Sequence, residues 1–183
     1  MRGRVFFLAA FATVFFIISS VAAGDSLDAG RWFEKGQALA RAGKMEEAVA
    51  AFDLAIEKEA SPLRGLSTPE LYYNRGLAYE GLENHKKAIA DFSKAIESNP
   101  KYVEAYFERG NAYFGMTSLW QAVRDYTKAL EINPDLAKAY YTRGYAYMLL
   151  KDKEDGMADI KKAAKMGHEP AKVFLKANGV EAK

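Results

Sequence analysis

Apolar and small residues follow one spaced pattern through most of the chain, and the spacing predicts pairs of packed helices. The pattern is anchored on glycines at positions 36, 76, 110 and 144, the last three of which are 34 residues apart. An aromatic residue stands four positions before each glycine and a large residue three positions after it, so the three share one face of a helix. The aromatic residues are Trp32, Tyr72, Tyr106 and Tyr140.

A second face recurs further along each repeat and predicts the partner helix. A small residue, a large apolar residue and an alanine come twelve, sixteen and nineteen positions after the glycine. They are Ala48, Phe52 and Ala55, then Ala88, Phe92 and Ala95, then Ala122, Tyr126 and Ala129, and finally Gly156, Ile160 and Ala163. The small residues allow two antiparallel helices to approach closely while the large ones fill the space beside them.

Prolines indicate where the repeats end. Pro100 and Pro134 stop the second helices of the middle repeats, because proline cannot continue a helix. The pattern divides the chain into four repeats at residues 29–60, 69–102, 103–136 and 137–168, with an insertion at residues 61–68. Residues 169–178 predict a capping helix, in which Pro170 suits the first turn and Phe174 and Leu175 would cover the last repeat.

The arrangement resembles the tetratricopeptide repeat, whose landmarks are a large residue, glycine and tyrosine in one helix and alanine, phenylalanine and alanine in the next. The resemblance covers residues 29–168, and Gly156, at a position where the family has alanine, is a mild departure. It implies an all-α fold: a right-handed superhelical solenoid of four helix-turn-helix repeats plus a C-terminal capping helix. It also implies that the first helices line a concave inner face.

A pair of opposite charges recurs within three of the repeats. An arginine precedes the glycine of repeats two, three and four, and an aspartate stands sixteen positions after each arginine. We expect these residues to join the two helices of a repeat, although solvated charges are the alternative. The pairs are Arg75 with Asp91, Arg109 with Asp125, and Arg143 with Asp159.

The first 23 residues predict a segment separate from the repeats. Arg2 and Arg4 form a basic head, residues 5–18 are apolar, and Val21 and Ala23 are small residues at a cleavage site. These features are typical of a secretory signal peptide, cut after Ala23. An uncleaved membrane anchor is the alternative, since the weakly polar run is just long enough to cross a bilayer. In both cases the sequence predicts an exported chain, periplasmic or secreted. The pattern of residues in the leader favours a bacterial source.

The composition of the chain excludes most classes of chemical function. The chain has no Cys, which excludes disulfides and thiolate sites, and its net charge of +2 gives no strong field for nucleic acid. Removal of Arg2 and Arg4 with the leader would leave no net charge. His85 and His168 are far apart in the repeat order, and no phosphate-binding or metal-binding motif occurs. We therefore expect no enzyme activity, no metal and no cofactor.

The expected function is protein binding through the exposed stripe of the first helices. The stripe occupies positions three before, one after and four after each glycine, and the first of these is aromatic in every repeat. Aromatic residues suit protein recognition because they offer a large area with few rotamers. The candidate residues are Phe33, Gln37, Tyr73, Leu77, Phe107, Asn111, Phe114, Tyr141 and Tyr145. The alternative for any one of them is packing between adjacent first helices.

A peptide or helix of an envelope protein is the expected ligand. Some chaperone-binding members of the family hold a terminal carboxylate in a clamp of lysine, asparagine and arginine. Asn74 and Lys138 fit two of the clamp positions, but no three consecutive repeats supply the set, so chaperone tails are not expected. A membrane-anchored scaffold, a self-assembling repeat protein and, least favoured, an enzyme of unrecognised type remain the alternatives.

Overall fold

The computed structural model describes residues 28–59 and 68–180, and this part of the chain contains helices and turns but no strand. The predicted all-α class is confirmed for these residues. The expected leader, and all but the last residue of the expected insertion, lie outside them. The helices are α1 (Ala29–Arg41), α2 (Met45–Glu59), α3 (Thr68–Gly81), α4 (His85–Ser98), α5 (Val103–Gly115), α6 (Leu119–Ile132), α7 (Ala137–Leu149), α8 (Lys153–Lys165) and α9 (Glu169–Ala177).

The helices fall into two compact units. Unit 1 ends at Leu82 and contains α1, α2 and α3, while unit 2 begins at Glu83 and contains α4 to α9. In each unit consecutive helices pack against each other, as the alternation of first and second helices predicts. None of the helices within the described residues is both long enough and apolar enough to cross a membrane.

The landmark glycines are places where a side chain would not fit. A Cβ atom on Gly36 would lie 2.6 Å from the Phe52 ring, and one on Gly110 would lie 2.7 Å from the Tyr126 ring. In repeat four the two helices come together backbone to backbone. A Cβ on Gly156 would lie 2.8 Å from the carbonyl oxygen of Gly144, which explains why glycine replaces alanine at position 156.

The turn between the two helices of a repeat has one residue in the left-handed region. It stands seven positions after the landmark glycine, at Gly43 in unit 1 and at Thr117 and Lys151 in unit 2, with φ of 75°, 59° and 66°. A β-branched residue such as Thr117 rarely adopts this conformation. The repeat therefore imposes the turn geometry even where the local sequence opposes it.

The predicted arginine–aspartate contact is confirmed in repeats three and four. Nε and Nη2 of Arg109 donate to the two carboxylate oxygens of Asp125 at 2.7 and 2.8 Å, and Asp125 is buried. Nη1 of Arg109 donates to Oγ of Ser93 on α4 at 2.9 Å. One guanidinium thus connects three consecutive helices, and the two-point geometry fixes their orientation.

The same three-way contact recurs one repeat later. Arg143 donates to both carboxylate oxygens of Asp159 at 2.7 and 2.9 Å, and its Nη1 donates to Oγ1 of Thr127 at 3.0 Å. Arg75 and Asp91 belong to different units, so their pairing stays a prediction. Within unit 1, Arg75 forms an ion pair with the exposed Asp53 of α2.

Helix α9 closes the series of helices in unit 2. Ala171 and Leu175 are fully buried, and Phe174 is half-buried against the same core. Pro170 stands in the first turn of the helix, where its missing N–H costs nothing. This packing places the N-terminus of α9, with His168, beside α7.

Candidate functional site

A cavity of about 380 Å³ opens on the first-helix face of unit 2. Helices α5, α6 and α7 each contribute to its wall, because α6 crosses behind the two first helices and reaches the gap between them. Four of the lining side chains are aromatic, and most of the lining surface is apolar. The cavity is lined by Asn111, Phe114, Tyr126, Tyr141, Thr142 and Tyr145.

The aromatic rings of the cavity form a connected group. The Tyr145 ring lies 6.1 Å from Phe114 and 6.5 Å from Tyr141, measured between ring centroids. It also meets Phe174 of α9 edge to face at 6.3 Å. These separations are typical of favourable aromatic pairs, so the rings hold each other in place. Tyr145 nevertheless stays 40% exposed, and is therefore available to a partner.

Hydrogen bonds fix the polar side of the cavity. The buried Tyr126 donates its hydroxyl proton to Oδ1 of Asn111 at 2.8 Å, and Nδ2 of Asn111 donates to a carboxylate oxygen of Glu108 at 2.8 Å. Burial raises the pKa of Tyr126, the negative charges of Glu108 and Asp125 raise it further, and the nearby Thr142 hydroxyl opposes the rise. The Tyr126 hydroxyl therefore stays neutral at physiological pH.

Phe107, one of the predicted binding residues, lies in the core and not in the cavity. Its side chain is only 6% exposed, and its ring packs on that of Tyr126 at 5.6 Å. The ammonium of Lys138 lies 4.1 Å above the ring and covers its other side. For this residue the packing interpretation describes the structure better than the binding one.

His168 supports the cavity from the side of α9. Its ring lies 4.9 Å from that of Tyr141. The Nδ1 atom is buried and has no hydrogen-bond partner among the described residues. Burial lowers the pKa of His168, and the charge of the neighbouring Glu169 opposes that shift. The neutral imidazole is therefore the form that fits this packing.

The predicted residues of unit 1 lie on its own first helices. Phe33 of α1 is half-buried, and its ring packs on Phe52 at 5.8 Å, so it shares in the core of that unit. Gln37 on α1, and Tyr73 and Leu77 on α3, are half-buried as well. Their roles as binding residues stay predictions.

The sequence reasoning identified four of the six lining residues, namely Asn111, Phe114, Tyr141 and Tyr145, and missed two. Tyr126 was treated only as a core landmark, yet its hydroxyl reaches the cavity. A signal was present, because the same position holds Phe52, Phe92 and Ile160 in the other repeats, none of which has a polar tip. Thr142, one position beyond the predicted stripe, was the second omission.

No group of three or more metal-ligating side chains occurs within the residues that the structure describes. A second depression of about 380 Å³ lies on the other side of α5 and α6, and its lining is largely charged. The Arg109–Asp125 pair occupies part of that lining, which makes the depression an extension of the structural contact described above.

Comparison with known protein families identifies the repeats. Models described as tetratricopeptide repeat match residues 19–63, 69–102 and 137–166, and a model described as TPR repeat matches residues 118–151. Together they cover most of the chain. The sequence is also 42% identical over 76 residues to the mitochondrial import receptor subunit TOM70 of Rattus norvegicus, a match that spans 39% of this chain and only 12% of that relative.

Solved structures resemble most of this chain. MamA superposes with a TM-score of 0.74 and 23% identity, over 84% of this chain and 86% of MamA, and supports the fold alone. The first TPR domain of Spaghetti (RPAP3), bound to the HSP90 peptide SRMEEVD, superposes with a TM-score of 0.63 and 29% identity. That match covers 69% of this chain and 96% of the RPAP3 chain.

Proposed function

The chain belongs to the tetratricopeptide-repeat family, and on that premise we propose that it is a protein-interaction scaffold that works outside the cytoplasm. Its ligand is a peptide or helix of an envelope protein, held on the first-helix face of unit 2. The observation that carries the proposal is the aromatic cavity between α5 and α7, with Tyr145 exposed at its edge. Proteins of this family are generally scaffolds rather than enzymes.

The cavity has the properties of a recognition site for a side chain. Its volume suits an anchor residue of a partner, and its rings are fixed by mutual contacts before any ligand arrives. A rigid aromatic surface loses little side-chain entropy when it binds, so more of the contact energy remains as affinity. The hydroxyls of Tyr141 and Tyr145 make no hydrogen bond to the described residues and can pair with a bound backbone.

The RPAP3 neighbour supports a peptide as the kind of ligand, since it was solved with one. Its ligand is the peptide SRMEEVD, in which acidic residues outnumber basic ones, whereas this chain lacks a complete set of clamp residues. We therefore propose a different peptide chemistry on a similar fold.

Site-specific photocrosslinking tests the binding site directly. A benzophenone amino acid replaces Tyr145 at the cavity and, as the matched control, Trp120, which is 65% exposed but does not line the cavity. We expect position 145 to crosslink one short segment of a partner, identified by mass spectrometry, in cells that express the full chain. Crosslinks from position 120 alone, or none from position 145, would remove the cavity as the binding site.

Export is the second part of the proposal, and the leader pattern of residues 1–23 supports it. The mass of the protein from cell fractions tests it. A species that begins at Gly24 in the periplasmic or secreted fraction supports cleavage, and a full-length species in the membrane fraction supports the anchored alternative. Full-length protein in the cytoplasmic fraction would contradict export in both forms.

A further inference from the structure

We propose that the aromatic cavity receives a cationic side chain, arginine or lysine, from the partner segment. The inference rests on the proposed function and adds the chemistry of the residue that the cavity binds. The distribution of cations over the aromatic rings of unit 2 and the charge beside the cavity both support a cationic ligand.

Several aromatic rings of unit 2 outside the cavity are covered by a cation of the chain itself. Lys138 lies 4.1 Å above Phe107. The guanidinium of Arg109 lies 5.6 Å from the Tyr106 ring. Two cations lie near the Tyr140 ring, Arg143 at 5.5 Å and Lys162 at 4.2 Å, and Lys162 also donates to the Tyr140 hydroxyl at 2.7 Å. The chain thus repeatedly uses the attraction between a cation and the negative face of an aromatic ring.

The rings that surround the cavity lack such a cation. Within the described part of unit 2, no lysine or arginine stands over Phe114, Tyr126, Tyr141 or Tyr145. These rings line a space that none of these cations fills, although the Tyr126 ring itself is buried. A group of ring faces around an open space is the arrangement that binds ammonium and guanidinium ions in proteins.

A carboxylate, that of Glu108, stands on the polar side of the cavity. Glu108 accepts the hydrogen bond of Asn111, a lining residue, and has no ion pair among the described residues. Its field reaches the floor of the cavity, because Glu108 is one of the charges that raise the pKa of Tyr126. The cavity therefore combines aromatic faces with negative potential, and both favour a positive ligand.

Size and geometry fit an arginine or lysine side chain. A volume of about 380 Å³ accommodates the methylene stem and the head group together. The stem would contact the apolar rings while the head group reaches the polar side at Asn111 and Glu108. An apolar side chain would fill the same space but leave the carboxylate without an ion-pair partner.

Lys138 is the feature that favours an acidic ligand instead of a basic one. It lies on α7 one turn before Tyr141, and an acidic peptide could reach it. Its ammonium is already placed over the Phe107 ring, however, and it does not line the cavity. A comparison of basic, neutral and acidic ligands therefore decides between the two.

The test titrates the purified full chain with three blocked amino acids: N-acetyl-arginine methylamide, N-acetyl-norleucine methylamide and N-acetyl-glutamate methylamide. The readout is the NMR shift of the Tyr141 and Tyr145 ring signals, assigned with Tyr141→Phe and Tyr145→Phe. We expect the arginine derivative to bind at least about threefold more tightly than the norleucine derivative, and the glutamate derivative to bind most weakly.

Two variants separate the sources of the preference. Tyr145→Leu keeps an apolar wall but removes a ring face, and Glu108→Gln removes the charge; each is expected to weaken arginine binding about threefold and to leave norleucine binding unchanged. Glu154→Gln, an exposed glutamate of α8 away from the cavity, is the control and should change neither. Circular dichroism and thermal unfolding confirm that each variant is folded.

Equal binding of the norleucine and arginine derivatives would overturn the inference, as would tighter binding of the glutamate derivative. Its failure is distinguishable from failure of the proposed function. If position 145 still crosslinks a partner segment while the arginine preference is absent, the scaffold function stands and the cationic ligand is wrong. If the crosslink is also absent, both are wrong.

Discussion

Repeats three and four share their landmark residues but use the first helix differently. In repeat three the aromatic residue three positions before the glycine is Phe107, which is buried beneath Lys138. In repeat four the same position holds Tyr141, whose ring borders an open cavity. The position in the repeat is the same, so the difference comes from the helix that follows.

The neighbouring helix decides whether an aromatic residue packs or binds. Helix α7 supplies Lys138, whose long side chain covers the Phe107 ring. The residue before α9, His168, contacts the Tyr141 ring, which still lines the cavity. A stripe that is uniform in sequence therefore contains one core residue, Phe107, and one residue that lines the cavity, Tyr141. Substitutions at these two positions should have different effects.

Truncation of the two aromatic residues should give the largest contrast. Phe107→Ala removes a buried ring and is expected to lower the free energy of unfolding by about 4 kcal/mol. Tyr141→Ala removes a half-buried ring and should cost about 1 kcal/mol, while it weakens partner binding. Urea denaturation measures both stabilities. Equal losses of unfolding free energy would show that positions 107 and 141 are equivalent, which would contradict the contrast between repeats three and four.

The landmark glycines should also differ between the repeats. Gly144→Ala places a Cβ against a backbone carbonyl of α8, which cannot move away, and should cost about 3 kcal/mol. Gly110→Ala meets the edge of the Tyr126 ring, which can shift by a few tenths of an ångström, and should cost about 1 to 2 kcal/mol. Chemical denaturation of the two variants provides the test. A larger loss at position 110 would contradict this account of the helix contacts.

The arginine contacts should respond alike in both repeats, because their geometry is the same. Arg109→Met and Arg143→Met each leave a largely buried aspartate without its partner, and each should cost about 3 kcal/mol. Arg143→Met combined with Asp159→Leu should recover part of the loss, since no unpaired charge remains. A double variant less stable than Arg143→Met would show that the aspartate has a separate role.

The smallest effect should come from pH, through His168. Burial holds the pKa of the folded state below the ordinary value of 6.5, so the unfolded chain takes up a proton at this residue more readily than the folded chain. The contribution of His168 is complete above about pH 6.5 and is lost as the pH falls towards the lowered value. The drop in unfolding free energy between pH 7.5 and 5.5 should be smaller in His168→Gln than in the wild type. An equal drop would show that the residue does not titrate differently on folding.

Much of the fold could be predicted because the repeat pattern is determined by packing between helices that are neighbours in the sequence. The spacing of glycine and large residues predicts the helix pairs, and the arginine–aspartate spacing predicts contacts now seen in repeats three and four. The third partners, Ser93 and Thr127, were missed although each stands sixteen positions before its arginine, because a lone hydroxyl is common on helix surfaces.

The site was harder to predict, since it depends on which side chain covers which ring. Nothing in the local sequence around Phe107 shows that Lys138, 31 positions later, lies over it. The hydroxyl of Tyr126 likewise gains its role only when α6 reaches the gap between α5 and α7. The spacing of residues along one helix does not predict such contacts between repeats.

The most direct test of the central claim is the affinity of the crosslinked partner segment, made as a peptide, for three forms of the chain. Isothermal titration calorimetry compares wild type, Tyr145→Ala and the matched control Trp120→Ala, all confirmed as folded. The account predicts that Tyr145→Ala weakens binding about tenfold or more, while Trp120→Ala stays within about twofold of wild type. Unchanged affinity in Tyr145→Ala, or a larger loss in Trp120→Ala, would contradict it.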